Sequence, residues 1–322
     1  MIARTDLAAP DAGVCSPGGG QHRPTPMATA DQKAASPHSE VPMSHMLKEI
    51  AVFFDTSASG RKLLEIAACL AKRQDAHLIG ISSAAEDNSV PANAFARGDA
   101  VKDVIRRRQQ SEVERLTHAG KFLARTAARH DINAEFRVVP YSQSGGEASL
   151  HALYCDLLVV GNPAIGAPLM WSAMQVLDRT GMPLLIVPEG WSGETVGRRI
   201  VMAWNASRQA RRALADALPL MTAAEAVDLL IVDPDSDEDR HGEVPGADIA
   251  GYLVHHQVPV EVRCVASQGK PVAEVLLRET TERGGDLLVF GAYSRARISE
   301  AVFGGVTRTL LDSEQVPLFI SH

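Results

Sequence analysis

The sequence predicts an α/β protein of two tandem doubly wound domains, each a five-stranded parallel sheet in the order 3-2-1-4-5 with helices on both faces. Three observations carry that expectation. Short apolar runs alternate with longer stretches of helical periodicity, the pattern of a parallel sheet covered on both sides. The pattern then occurs twice. Ile50–Leu64 (IAVFFDTSASGRKLL) aligns without a gap on Ile200–Leu214 (IVMAWNASRQARRAL), DLLVVG at 156–161 on DLLVFG at 286–291, and VLDRTGMPLLIV at 176–187 on LLDSEQVPLFIS at 310–321. Finally, right-handed crossovers leave few ways to assemble five such strands, and 3-2-1-4-5 is the common one.

In the first copy the apolar runs place strands at 48–55, 77–83, 133–140, 156–161 and 183–187. Helices are expected near 59–73, 99–130, 146–155 and 168–180, the second carrying Val101, Ile105, Leu116, Ala119, Leu123 and Ala127 at helical spacing with a break at Gln109. The second copy gives strands at 198–204, 227–233, 258–265, 286–291 and 317–321, and helices near 207–220, 246–257, 271–283 and 305–313. Residues 1–45, with prolines at 10, 17, 24, 26, 37 and 42 and few large apolar side chains, read as a disordered extension, since they bury too little surface to offset their ordering entropy. The domains are therefore set at 46–190 and 198–322, joined by the linker Pro188–Arg198. The last strand of each copy is an apolar edge, so the two edges are expected to meet as an intramolecular pseudo-dimer, with a homodimer as a further option.

Of the 322 residues, 45% are hydrophobic and 22% charged, the balance of a globular protein, and the net charge of −7 argues against nucleic acid or an anionic membrane as partner. The longest apolar stretches, such as Met182–Val187, fall far short of the roughly 20 residues that span a bilayer. Met1–Pro42 has no apolar run of signal-peptide length, so a cytoplasmic location is expected. Cys15, Cys69, Cys155 and Cys264 lie far apart with no CxxC spacing, His255 and His256 are adjacent and so point apart on a helix, and Asp233–Asp239 lacks the glycine and glutamate of a calcium loop, with Glu238 and Val244 in their places. No metal site is expected. No GxSxG, GxxxxGK[ST] or kinase motif is present and no nucleophile is paired with a base, so no catalytic residue is named and a ligand-binding or regulatory protein is expected rather than an enzyme.

Open α/β sheets bind ligands outside the carboxyl ends of the strands, where the strand order reverses. That singles out Asp55–Gly60 and Gly161–Ala167 in the first copy, and Asn205–Ser207 and Gly291–Thr307 in the second. The last of these leaves a strand at Gly291 and enters a helix through Gly304 and Gly305. Glycines there let the backbone approach a ligand, free N–H groups favour an anion, Thr307 adds a hydroxyl, and Arg295, Arg297 and Arg308 add charge. The loop fits a phosphate cradle. It fits equally a simple chain turn with a solvated arginine face partnered by Glu300, and the pattern alone leaves both open.

These residues resemble the universal stress protein family, whose nucleotide-binding members carry G-x2-G-x9-G-(S/T). Gly291, Ser294 and Gly304 fall at the glycine positions and Gly305 at the Ser/Thr position, FGGVTRTLL is similar to the GGVTRxLL wording of bacterial members, AWNAS resembles their AWDGS or AWNGS, and DALPL at 216–220 looks like their usual first-helix ending. The resemblance covers about residues 47–322 and is that of a tandem bacterial member. It implies a stress-response protein that binds an adenine nucleotide, ATP with magnesium, in the C-terminal domain, with at most slow turnover. The implied contacts are Asn205, Ala206, Ser207, Val232, Asp233, Gly291, Ser294, Arg295, Gly304, Gly305, Val306 and Thr307, with Val232 and Asp233 at the adenine edge. Two departures bear on it. Ser294 brings a Cβ to the second glycine position, and Asn205 replaces an aspartate, keeping a carbonyl but losing the charge.

The first copy departs further, because Gly161 to Leu177 spans 16 steps where Gly291 to Leu311 spans 20, and Met170, Trp171, Ser172 and Ala173 stand in place of Gly304 to Thr307. Asp55 and Ser57 there read as turn and capping residues. The alternative is a nucleotide-independent interaction scaffold with both sites degenerate.

Overall fold

Strand formation begins where the β-branched and leucine runs begin, and in the computed structural model, which describes residues 46–84, 99–139, 153–162, 173–234, 243–292 and 305–322, every predicted strand is present within about three residues of its expected bounds. In chain order they are β1 (Glu49–Phe53), β2 (His77–Ser83), β3 (Ala134–Val139), β4 (Leu157–Asn162), β5 (Leu184–Pro188), β6 (Arg199–Ala203), β7 (Ala226–Val232), β8 (Val260–Val265), β9 (Leu287–Gly291) and β10 (Leu318–Ser321). The described helices are α1 (Ala58–Gln74), α2 (Asp99–His130), α3 (Ala173–Thr180), α4 (Arg208–Thr222), α5 (Ala247–His255), α6 (Val272–Glu282) and α7 (Gly305–Leu311). The expected extension at 1–45, most of the helix expected at 146–155 and the loop after Asn162 lie outside the described residues.

The ten strands form one sheet in the order β3-β2-β1-β4-β5-β10-β9-β6-β7-β8. Each half thus runs 3-2-1-4-5, all parallel. The two five-stranded sheets join into a continuous one where the last strands were expected to meet, β5 and β10 pairing antiparallel, Leu318 with Ile186, Phe319 with Leu185 and Ile320 with Leu184. The pairing closes the two apolar edges the sequence left exposed. Residues Pro42–His322 accordingly make one compact unit.

Alternating side chains along the strands feed two cores. One holds Ile50, Val52, Leu157, Ile200, Met202, Leu287 and Phe319 with the inner faces of α1, α2, α4 and α5; the other holds Ala51, Leu158, Val201, Leu288 and Ile320 with α3, α6 and α7. Helices therefore cover both faces, as the crossover rule requires. Two aspartates fix the repeat unit. Asp156 Oδ2 accepts from the N–H groups of Lys48 and Glu49 at 2.7 and 2.9 Å, and Asp286 Oδ1 accepts from Gly197, Arg198 and Arg199 at 3.1, 3.0 and 2.9 Å. Each ties the start of a fourth strand to the start of a first. Between the halves, the Arg73 guanidinium donates to the carbonyls of Val196 and Gly197, both at 2.8 Å, and Gln74 Nε2 to that of Pro219 at 3.0 Å.

α2 spans Asp99–His130 as expected, running on through Gln109 where the apolar spacing breaks. Residues 102–118 are exposed or half-buried, so no apolar phase is required there. Good helix formers and the i,i+3 pairs Asp103–Arg106 (2.6 Å) and Glu112–Arg115 (2.7 Å) carry it instead.

Candidate functional site

The loop after β6 is built by its own polar side chains. Asn205 Oδ1 accepts from the Ser207 N–H at 3.3 Å and from the Ser207 hydroxyl at 2.7 Å, and Ser207 Oγ in turn accepts from the Ala210 N–H at 3.1 Å, capping α4. Ala206 between them sits at φ 51°, in the left-handed region that costs a residue with a Cβ roughly 1–2 kcal/mol. The loop after β1 repeats the device: Asp55 Oδ1 accepts from the N–H (2.9 Å) and hydroxyl of Ser57, whose Oγ accepts from the Gly60 N–H at 3.0 Å. Aspartate and asparagine thus play the same local part, through a carbonyl-type oxygen that needs no charge.

Gly291 ends β9 against the first turn of α4. A Cβ added to it would lie 2.3 Å from the backbone carbon of Gln209 and 2.6 Å from the nitrogen of Ala210, so glycine is needed here for strand and helix to pack. Asn205, Ala206, Ser207 and Gly291 are thereby brought together where α4 begins. Val232 and Asp233 follow on the neighbouring strand end. Asp233 adopts φ 50°, and its Oδ1 accepts from the Ser267 N–H at 2.7 Å; hydrogen bonds from Ser267 hold its carboxyl below the ordinary range. Gly305, Val306 and Thr307 open α7 on the opposite face of the sheet, flanking the same reversal of strand order. Gly305 is exposed with nothing within 4 Å of an added Cβ, whereas Thr307 is buried at 5%. Arg308 pairs with Asp312 at 3.9 Å. Ser294, Arg295, Arg297 and Gly304 lie outside the described residues, as do Trp171 and Asp235–Asp239.

A cavity of about 320 Å3 opens beside Ala206, between the end of β6 and the start of α5. Trp204, Arg211, Gly246, Ile249 and Tyr252 line it, and the Arg211 guanidinium lies 4.7 Å over the Tyr252 ring, which packs 4.5 Å from the His256 ring. The sequence reading missed this group. Its only signal was Tyr252 four residues before His256 on a helix, a spacing that is ordinary in itself.

No protein-family model matches the sequence, and no curated protein matches it. Among solved structures, a universal stress protein from Archaeoglobus fulgidus superposes with a TM-score of 0.56 over 84% of this chain and 97% of its own, at 15% identity. A universal stress protein from Pseudomonas aeruginosa gives 0.51 over 85% and 93%, at 14% identity. The chain has the universal stress protein fold. A functionally unknown protein from Pseudomonas aeruginosa shares it, with a TM-score of 0.51 over 85% of this chain and 92% of its own, at 12% identity. Both halves of this chain take part, since the matches run over most of its length. Among the described residues no helix of this universal stress protein fold is long and apolar enough to cross a membrane, and no group of three His, Cys, Asp or Glu side chains is placed to hold a metal ion.

Proposed function

We propose that the chain is a stress-response protein of the universal stress type that binds an adenine nucleotide, ATP with magnesium, at the strand-order reversal of its second half, and that it signals by occupancy rather than by catalysis. The observation that carries this reading is the convergence of the Asn205–Ser207 turn and Gly291 at the start of α4, next to a cavity of about 320 Å3, the lower end of the range that small ligands fill. Gly305 is exposed, and Ser294, Arg295, Gly304, Val306 and Thr307 complete the nucleotide contacts by the family resemblance. Val232 and Asp233 would meet the adenine. The polar turn at Asn205–Ser207 and the exposed Gly305 support this reading, in which the bound nucleotide would shift the protein toward one state.

Titration calorimetry with ATP and magnesium tests this directly. A ligand at 100 times its dissociation constant adds about 2.7 kcal/mol of stability, so a clear rise in melting temperature is expected, and an unchanged melt at millimolar ATP would reject the reading.

The second reading, an interaction scaffold that needs no nucleotide, has its own support. The Asn205 oxygen is already engaged twice within its turn, as the Asp55 oxygen is in the first half. It predicts equal melting with and without nucleotide.

A further inference from the structure

A groove of about 630 Å3 runs between α1 and α2 in the first half of the chain, outside the proposed nucleotide site, and its walls are basic. α1 supplies Arg61, Lys62 and Glu65, and α2 supplies Phe122, Arg125 and Arg129. The spacing explains the alignment: residues three and four apart share a helix face, so Arg61 and Glu65 on one helix and Phe122, Arg125 and Arg129 on the other present continuous ridges. Phe122 packs partly into the core and leaves the rest of its ring as the apolar floor. Glu65 is the sole acid on these walls and is spent, accepting from Arg129, from Thr126 at 3.2 Å and bonding His130 at 2.9 Å. The side chains of Arg61, Lys62 and Arg125 have no ion-pair or hydrogen-bond partner among the described residues.

In a chain of net charge −7, three unspent cations along one apolar groove are charge arranged for something outside the fold. Simple solvation would not call for an aromatic floor beneath them. Long nucleic acid and anionic membranes are disfavoured as occupants, since the rest of the molecule repels them. A protein segment is not, because it carries both apolar and acidic side chains at short range. Two helices side by side form a groove into which the ridge of a third helix packs. We propose that the α1–α2 groove docks an acidic amphipathic helix of a partner protein, its apolar stripe on Phe122 and its carboxylates on Arg61, Lys62 and Arg125.

The test uses the full chain and a fluorescent synthetic peptide with a leucine stripe at helical spacing flanked by glutamates, read by anisotropy. Binding is expected at low salt, should weaken as salt rises, and should weaken at least about tenfold in an Arg61→Glu/Arg125→Glu variant, since charge pairs at a docking surface carry such losses. Both arginines are exposed, so the variant should melt like the parent. An Arg61→Gln/Arg125→Gln variant, with intermediate loss, guards against a folding defect. Equal binding by parent and variant would overturn the proposal, as would equal affinity for the same peptide with lysines. Failure of the glutamate peptide while inorganic polyphosphate binds, or salt-sensitive self-association of the parent abolished in the variant, would assign the groove to a polyanion or to a second copy and equally overturn it.

Discussion

Gly291 stands where two demands meet. The sequence pattern reads it as room for a phosphate, yet in the fold its missing Cβ is what lets β9 end against Gln209 and Ala210. A Gly291→Ala chain must push the strand end and the α4 turn apart, and overpacking of this kind costs about 1–3 kcal/mol. Urea unfolding is expected to show that loss without any ligand present, which separates the packing role from binding; a stability equal to the parent would mean the contact relaxes freely. Asn205 teaches the same lesson from the other side. Its replacement of an aspartate looks like a lost charge in the sequence, while the turn uses only its oxygen, as the matching Asp55 turn does. Nothing in a single sequence distinguishes a glycine or an amide serving the backbone from one serving a ligand, and so the meeting of these loops was legible but not the roles of their residues.

Among the elements, the strands were legible because β-branched and leucine runs bounded by turns have no other stable use in a chain of this size. α2 was legible in its bounds as well, although its apolar periodicity lapses at Gln109, since residues 102–118 stay exposed or half-buried and answer to helix propensity rather than to a core. Its buried half packs on α1 through Ala119 and Leu123 and is further tied to it by Glu65. Burial pushes its carboxyl up, but the bonds from His130, Arg129 and Thr126 and the Arg129 charge outweigh that and hold it below the usual 4.5. A carboxyl depressed on folding contributes stability that is fully present above its unfolded pKa and is lost as pH falls through the folded value. A Glu65→Gln chain should therefore be less stable than the parent at neutral pH, and the gap should close as the pH is taken well below 4.5. Denaturant midpoints at the two pH values measure it; a constant gap would show that the ion pair is not what Glu65 contributes.

At the scale of the whole molecule, the duplication was legible from three matched segments, while the union of the two sheets rested on the family resemblance and on the argument that apolar edges do not stay bare. The register could not be read, because Leu184–Ile186 and Leu318–Ile320 are apolar throughout and no alternation marks which residues should face each other. The structure sets Phe319 opposite Leu185 with no exposed surface, in the same core that takes in Ile50 and Ile200 from the first strands of the two halves. Since that core is continuous across the seam, the halves should not melt independently. Far-ultraviolet circular dichroism and tryptophan fluorescence are expected to report a single coincident transition for the parent. Placing a charge in the seam by Phe319→Lys removes a buried aromatic, itself worth about 3–5 kcal/mol, and leaves an ammonium without a partner. The transition should then fall steeply or split, with the second half unfolding first because α4 packs on both β9 and β10 and loses the support of the strand that carries the substitution. A variant that melted in one step at the parent's temperature would mean that the seam contributes nothing to holding the two halves as one core.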